Sequence, residues 1–195
     1  VQTHTSIRMN FLEEAYEAVD ALDLDDPVLM CEELGDVLMQ VAFHTCMEQE
    51  TGRFTWEQVC DGVCQKLIER HPNIFGTQPG YEGITDWDAL KNKEKGRRTL
   101  ADDLESVPRA MPALMRAAKL QKRAARHGAA LQGADAAALA DAAENLQTAQ
   151  PASAQAEQAV GELLFAAANL ARQAGVDPEQ ALQKANEAFC TAAGP

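Results

Sequence analysis

The sequence is short of basic residues, of long apolar runs and of paired cysteines, and each shortage closes a class of function. Only 17 Lys and Arg stand against 30 Asp and Glu, for a formal charge of −13. Nucleic-acid binding needs basic surface to meet phosphate, so no such partner is expected. No stretch approaches the length of apolar chain that spans a bilayer, so no membrane association is expected. The opening residues "VQTHTSI" hold no basic-plus-apolar segment of the signal-peptide kind, and a cytoplasmic location is expected. The five cysteines (Cys31, Cys46, Cys60, Cys64 and Cys190) include no CxxC pair. Cys60 and Cys64 lack further Cys or His at metal-ligand spacing, and the set reads as reduced packing residues. If such an acidic chain handles phosphates, the positive charge must come from elsewhere. A divalent cation held by carboxylates supplies it.

β-Branched runs are scarce, while Ala and Leu are abundant, which favours an all-α fold. At 195 residues the chain can form one large domain or two small ones. Helices are expected near 7–24, 27–50 and 55–70, broken at "DLDDP" and "ETGRFT". Asp26 is placed to cap the second helix with Pro27 at its first position, and Thr55 to cap the third. "HPNIFG" ends that helix, and His71 reads as a cap, with a phosphate contact as the alternative. Residues 76–86 read as a loop, followed by a short helix in "WDALKNKEKGRR". A basic helix is expected over 112–127, carrying Arg116, Lys119, Lys122, Arg123 and Arg126; its cations read as a face for acidic neighbours within the fold. Two more helices are expected at 155–174 and 178–192, the latter capped by Asp177. The expected domains are a catalytic unit at 1–76, a linker with a short helix at 77–111, and a second unit at 112–195.

The two units read as copies of each other. "EELGDVLMQVAF" (32–43) matches "QAVGELLFAAAN" (158–169), "CQKLIERH" (64–71) matches "LQKANEAF" (182–189), and "LEEAYEA" (12–18) lies opposite "LADAAEN" (139–145). Apolar positions persist between the copies. The charged ones do not: Glu13 and Glu14 stand opposite Ala140 and Asp141, Glu33 opposite Ala159, Asp36 opposite Glu162, and Arg70 opposite Ala188. Glu17 survives as Glu144 and Lys66 as Lys184. The acids are therefore not needed to fold the unit.

Residues 11–36 hold ten carboxylates among apolar positions at helical spacing, including Leu12, Tyr16, Val19 and Leu22, expected to face inward. Residues three apart share a helix face, so Glu14 with Glu17 and Glu33 with Asp36 make two carboxylate pairs on consecutive helices. Packed antiparallel, those helices bring four carboxylates together. Left alone, the four would repel and raise one another's pKa values. A hard divalent cation relieves the conflict, and Mg²⁺ retains waters and coordinates substrate phosphate. A solvated acidic face is the plainer alternative. It leaves the second pair, the apolar neighbours and the selective loss in the repeat unexplained. Lys66 and Arg70 share a face of the third helix, where they suit phosphate oxygens. His44 reads as a packed or surface residue and not as a ligand. A di-metal redox bundle would want Glu-x-x-His, which is absent.

"LEEAYE", "CEELGDVLMQVAFH", "GRFTWEQVC" and "KLIERHPNIFG" together resemble the MazG family of nucleoside triphosphate pyrophosphohydrolases, whose signature is EExxE followed by ExxD on the next helix. "QTHTSI" resembles the end of the family's amino-terminal motif, whose preceding "CPWD"-type residues have no match here. "DDLESVPRAMPALMRAAKLQKRAARHG" resembles its inter-domain segment. The resemblance implies duplicated four-helix-bundle units and a homodimer or higher homo-oligomer. It also implies Mg²⁺-dependent hydrolysis of nucleoside triphosphates to monophosphate and pyrophosphate, with Mn²⁺ as a substitute ion. Carried over, Glu14, Glu17, Glu33 and Asp36 hold the metal, Glu13 orients water as the catalytic residue, and Lys66 and Arg70 bind substrate phosphates. The second unit, lacking much of this set, is expected to be structural. The alternative is a non-catalytic helical module that senses nucleotides or binds a protein.

Overall fold

The computed structural model describes residues 2–75, 96 and 99–194. Every regular element among them is helical: α1 (His4–Leu24), α2 (Pro27–Glu50), α3 (Trp56–Arg70), α4 (Pro72–Phe75), α5 (Leu100–Glu105), α6 (Ala113–Arg126), α7 (Ala136–Thr148), α8 (Ala154–Gln173) and α9 (Pro178–Ala193). They fall into two compact units, α1–α4 and α5–α9. The expected helix in "WDALKNKEKGRR" and the loop at 76–86 lie outside the described residues.

Local chemistry sets the helix ends. Asp26 accepts from the amides of Val28 and Leu29, with Pro27 opening α2, and Thr55 forms a capping box with Gln58 at the start of α3. Each such cap is worth about 1 kcal/mol. α1 begins earlier than expected because Thr3 and Ser6 make a capping box of their own. It ends where Asp25 takes a left-handed conformation (φ 53°), which a short polar side chain tolerates. His71 closes α3, its ring Nδ1 donating to the Leu67 carbonyl at 2.8 Å.

In the first unit α1 and α2 form an antiparallel hairpin, and α3 packs on α2. The line between α1 and α2 differs from expectation. Ile7, Ala18 and Ala21 are buried there, together with Gln40, Thr45 and Glu48. Leu12, Tyr16, Val19 and Leu22 are 37–54% exposed, so the stripe expected inside faces outward. Periodicity marks an apolar face but not what covers it. The hairpin is closed by small and polar side chains, and the larger apolar groups lie on adjoining faces. One end of the hairpin is tied by buried Glu48. Arg53 grips both its oxygens at 2.7 Å, and the ring of His4 contacts it. His4 stacks on His44, with ring centroids 4.9 Å apart and their Nδ1 atoms 2.6 Å apart. His44 is thus packed, as expected.

The second unit repeats the hairpin in α7 and α8, joined near its ends by the Asn169 side-chain amide donating to the Ala134 carbonyl at 2.6 Å. α6 packs across α8, and α5 packs on α6 within the stretch expected as linker. The basic helix does meet an acid: Arg123 pairs with buried Asp103 of α5. The cysteines are free thiols as expected, but all five are exposed on outer helix faces and not packed.

Candidate functional site

The hairpin's polar seam is where the chemistry gathers. Glu14 and Glu33 are half-buried between α1 and α2, while Glu17 lies one turn further along α1 at the rim. Carboxylate oxygens of Glu14, Glu17 and Glu33 all come within 4.8 Å of one another. Among the described residues this is the only group of three or more potential ligands so close. Asp36 stands outside the trio. It is half-buried one turn after Glu33, and its side chain is a methylene shorter. It is nonetheless the strongest charged neighbour of Glu33.

The electrostatics record the crowding. Partial loss of hydration raises the Glu17 carboxyl above the ordinary range, and Glu33, Glu14 and Glu13 add repulsion; Glu14 also shares a hydrogen bond with its neutral form. Glu33 is raised in the same way, first by lost hydration and then by Asp36, Glu32 and Glu14. Glu13 is exposed on α1 beside this group. One octahedral cation with oxygens at about 2.0–2.1 Å holds ligand atoms no more than about 4.2 Å apart, so this trio is already close to the span an ion would need.

Lys66 and Arg70 lie one turn apart on α3, Lys66 exposed and Arg70 half-buried; α3 packs on α2, which carries Glu33 and Asp36. Gln40 was not expected. It is buried, and its Nε2 donates to Glu14 Oε1 at 3.2 Å. The only signal for it was its place seven residues after Glu33, two helical turns along one face.

The second hairpin lacks this arrangement. Asp141 and Glu162 line a cavity of about 620 Å³ with Gly133, Gly161 and Phe165. Ala159, buried, stands where Glu33 stands in the first.

A family model described as "MazG nucleotide pyrophosphohydrolase domain" matches residues 2–75. The nucleoside triphosphate pyrophosphohydrolase of Escherichia coli (strain K12) is 39% identical over 197 residues, covering 96% of this chain and 75% of the relative. The chain belongs to the MazG family. Its likeness extends to the nucleoside triphosphate pyrophosphohydrolase/pyrophosphatase MazG of Thermotoga maritima, 38% identical over 96% of this chain and 73% of that one. A nucleoside triphosphate pyrophosphohydrolase of Mycobacterium tuberculosis is 37% identical over 65% of this chain and 39% of its own length. The family match covers α1 to α4, and with them the carboxylate trio, Glu13, Asp36, Lys66 and Arg70. No helix among the described residues is long and apolar enough to cross a membrane.

Proposed function

We propose that the chain hydrolyses nucleoside triphosphates to monophosphate and pyrophosphate with Mg²⁺ held in the α1–α2 hairpin. The observation that carries this reading is the trio of Glu14, Glu17 and Glu33, in a chain of a pyrophosphohydrolase family. A divalent cation would relieve the like-charge crowding that helps to raise the Glu17 and Glu33 carboxyls.

Glu14, Glu17 and Glu33 would hold the ion, with Asp36 completing or bracing the set. When bound, Mg²⁺ polarises the α-phosphate and makes a water more acidic; Mn²⁺, with similar ligand preferences, substitutes. Glu13, exposed at the rim, accepts a hydrogen bond from the attacking water and orients it. Lys66 and Arg70 meet the phosphate oxygens, where Arg forks onto two of them and Lys acts as a point charge, offsetting charge that builds up as pyrophosphate leaves. The second hairpin, with Asp141 and Glu162 but Ala159 in place of a ligand, serves the structure.

The exposed apolar side chains of the first unit support self-association into a homodimer or higher homo-oligomer. Tyr16, Val19, Leu22, Leu34, Leu38 and Phe43 are all half-exposed or more in the single chain. Covering such a face with a second hairpin completes a four-helix bundle. The nucleotide pool places this work in the cytoplasm. A panel of canonical and damaged NTPs and dNTPs, assayed for pyrophosphate with Mg²⁺, tests the reading: pyrophosphate plus monophosphate supports it. Release of orthophosphate alone, or no turnover across the panel, overturns it.

A further inference from the structure

We infer that Gln40 is a positioning residue for the metal centre, holding the Glu14 carboxylate in the orientation a cation needs; this rests on the function proposed above. Gln40 is 4% exposed, and its Nε2 reaches Glu14 Oε1 across the hairpin at 3.2 Å. A carboxylate is acceptor-only when ionised, so the amide must present its nitrogen to Glu14. That leaves Gln40 Oε1 buried and without a protein partner among the described residues.

An orphaned buried acceptor is costly, and a side chain kept only for packing would do better as an apolar one of the same length. The chain carries the cost on the side facing away from Glu14 while using the donor toward it. A donor held on one oxygen restrains the rotation of the carboxylate, and so biases where the other oxygen points relative to Glu17 and Glu33. Outer hydrogen bonds of this kind orient metal ligands.

The second hairpin gives an independent observation. Its counterpart of Gln40 is Ala166 of α8, which is fully buried. The amide is absent from the same copy in which Glu33 gives way to Ala159 and Glu14 to Asp141. A hairpin of this design packs without the amide; the hairpin with the carboxylate trio has it.

Binding of Mn²⁺ to the full chain without nucleotide, read from the free-ion paramagnetic resonance signal, tests the inference alongside thermal unfolding. Gln40→Met keeps the length and removes the donor; Gln40→Ala copies the second hairpin. Both are expected to weaken Mn²⁺ binding by about 10–100-fold while Gln40→Met unfolds at or above the wild-type temperature. Thr45→Val, another buried polar position on α2, is expected to leave the affinity unchanged. Wild-type affinity in both Gln40 variants would overturn the inference alone. So would losses that only track unfolding and recur in Thr45→Val. A wild-type chain that binds no Mn²⁺ would overturn the proposed function and the inference with it.

Discussion

Arg123 of α6 places Nη1 3.0 Å from the carboxylate of Asp103 in α5, with both side chains almost wholly withdrawn from water. The same arginine also reaches the Asp103 backbone carbonyl and the Ser106 hydroxyl, while Arg126 and His127 approach the carboxylate from the end of the helix. Two buried charges offset each other, but either one alone would be stranded. Asp103→Ala is therefore expected to destabilise the second unit by about 3–5 kcal/mol. Urea unfolding followed by helical signal measures it. Mn²⁺ binding by the first unit should not change, and a loss below about 1 kcal/mol would show that the pair is not the tie described.

Glu33→Gln removes a member of the carboxylate trio without touching an apolar contact. Pyrophosphate release should fall by more than about a hundredfold, since even an outer partner of a ligand is worth about 10–100-fold. Helical content should hardly change, because the second hairpin packs with Ala159 at the matching place. Asp36→Asn is expected to act in the same direction. Full activity in Glu33→Gln would end the assignment.

Arg70→Ala separates phosphate binding from metal binding. An arginine on phosphate oxygens serves substrate and leaving group, so KM for the triphosphate should rise and kcat fall, while Mn²⁺ affinity measured without nucleotide stays at the wild-type value. An equal loss of both affinities would contradict the role.

Metal-free protein should show the crowding as a pH effect. Glu17 is raised by lost hydration and by Glu33, Glu14 and Glu13. A carboxyl raised in the folded state favours that state below the ordinary carboxylate pKa, and loses this contribution as pH climbs through the raised value. In chelator, Glu17→Gln should then unfold at a higher temperature than wild type at neutral pH, with the gap closing under acid. A variant less stable at neutral pH would contradict repulsion at this position.

The first hairpin shows what a sequence specifies and what it leaves open. Asp26, Pro27 and Thr55 act on amides two or three residues away, so their caps could be read directly. The same chemistry at Thr99 starts α5, which went unforeseen because six residues are too few to show a period. Helical spacing put Glu14 and Glu17 on one face of α1, and of the four carboxylates expected together three gather, Glu14, Glu17 and Glu33, while Asp36 stands outside the trio. The outward turn of Leu12 and Tyr16 was not readable. Spacing distinguishes faces, but which face meets the neighbouring helix depends on the fit of small side chains, and here Ala18 and Ala21 are the ones buried. Gln40 was hidden for another reason: a neutral amide carries no charge pattern, and only its partner across the hairpin reveals it.

Of the two hairpins, only the first gathers the groups that the proposed chemistry needs. Mg²⁺ accepts near-octahedral oxygen at short range, and losing one carboxylate removes both charge and geometry. The first hairpin gathers Glu14, Glu17 and Glu33, whereas the second has Asp141 and Glu162, with buried Ala159 at the place of Glu33. The direct measurement is a crystal structure with Mg²⁺ and a non-hydrolysable nucleotide. Metal is expected on Glu14, Glu17 and Glu33, phosphates toward Lys66 and Arg70, and an empty or weakly occupied second hairpin. Tight, nucleotide-linked metal between Asp141 and Glu162, with the first hairpin bare, would contradict it.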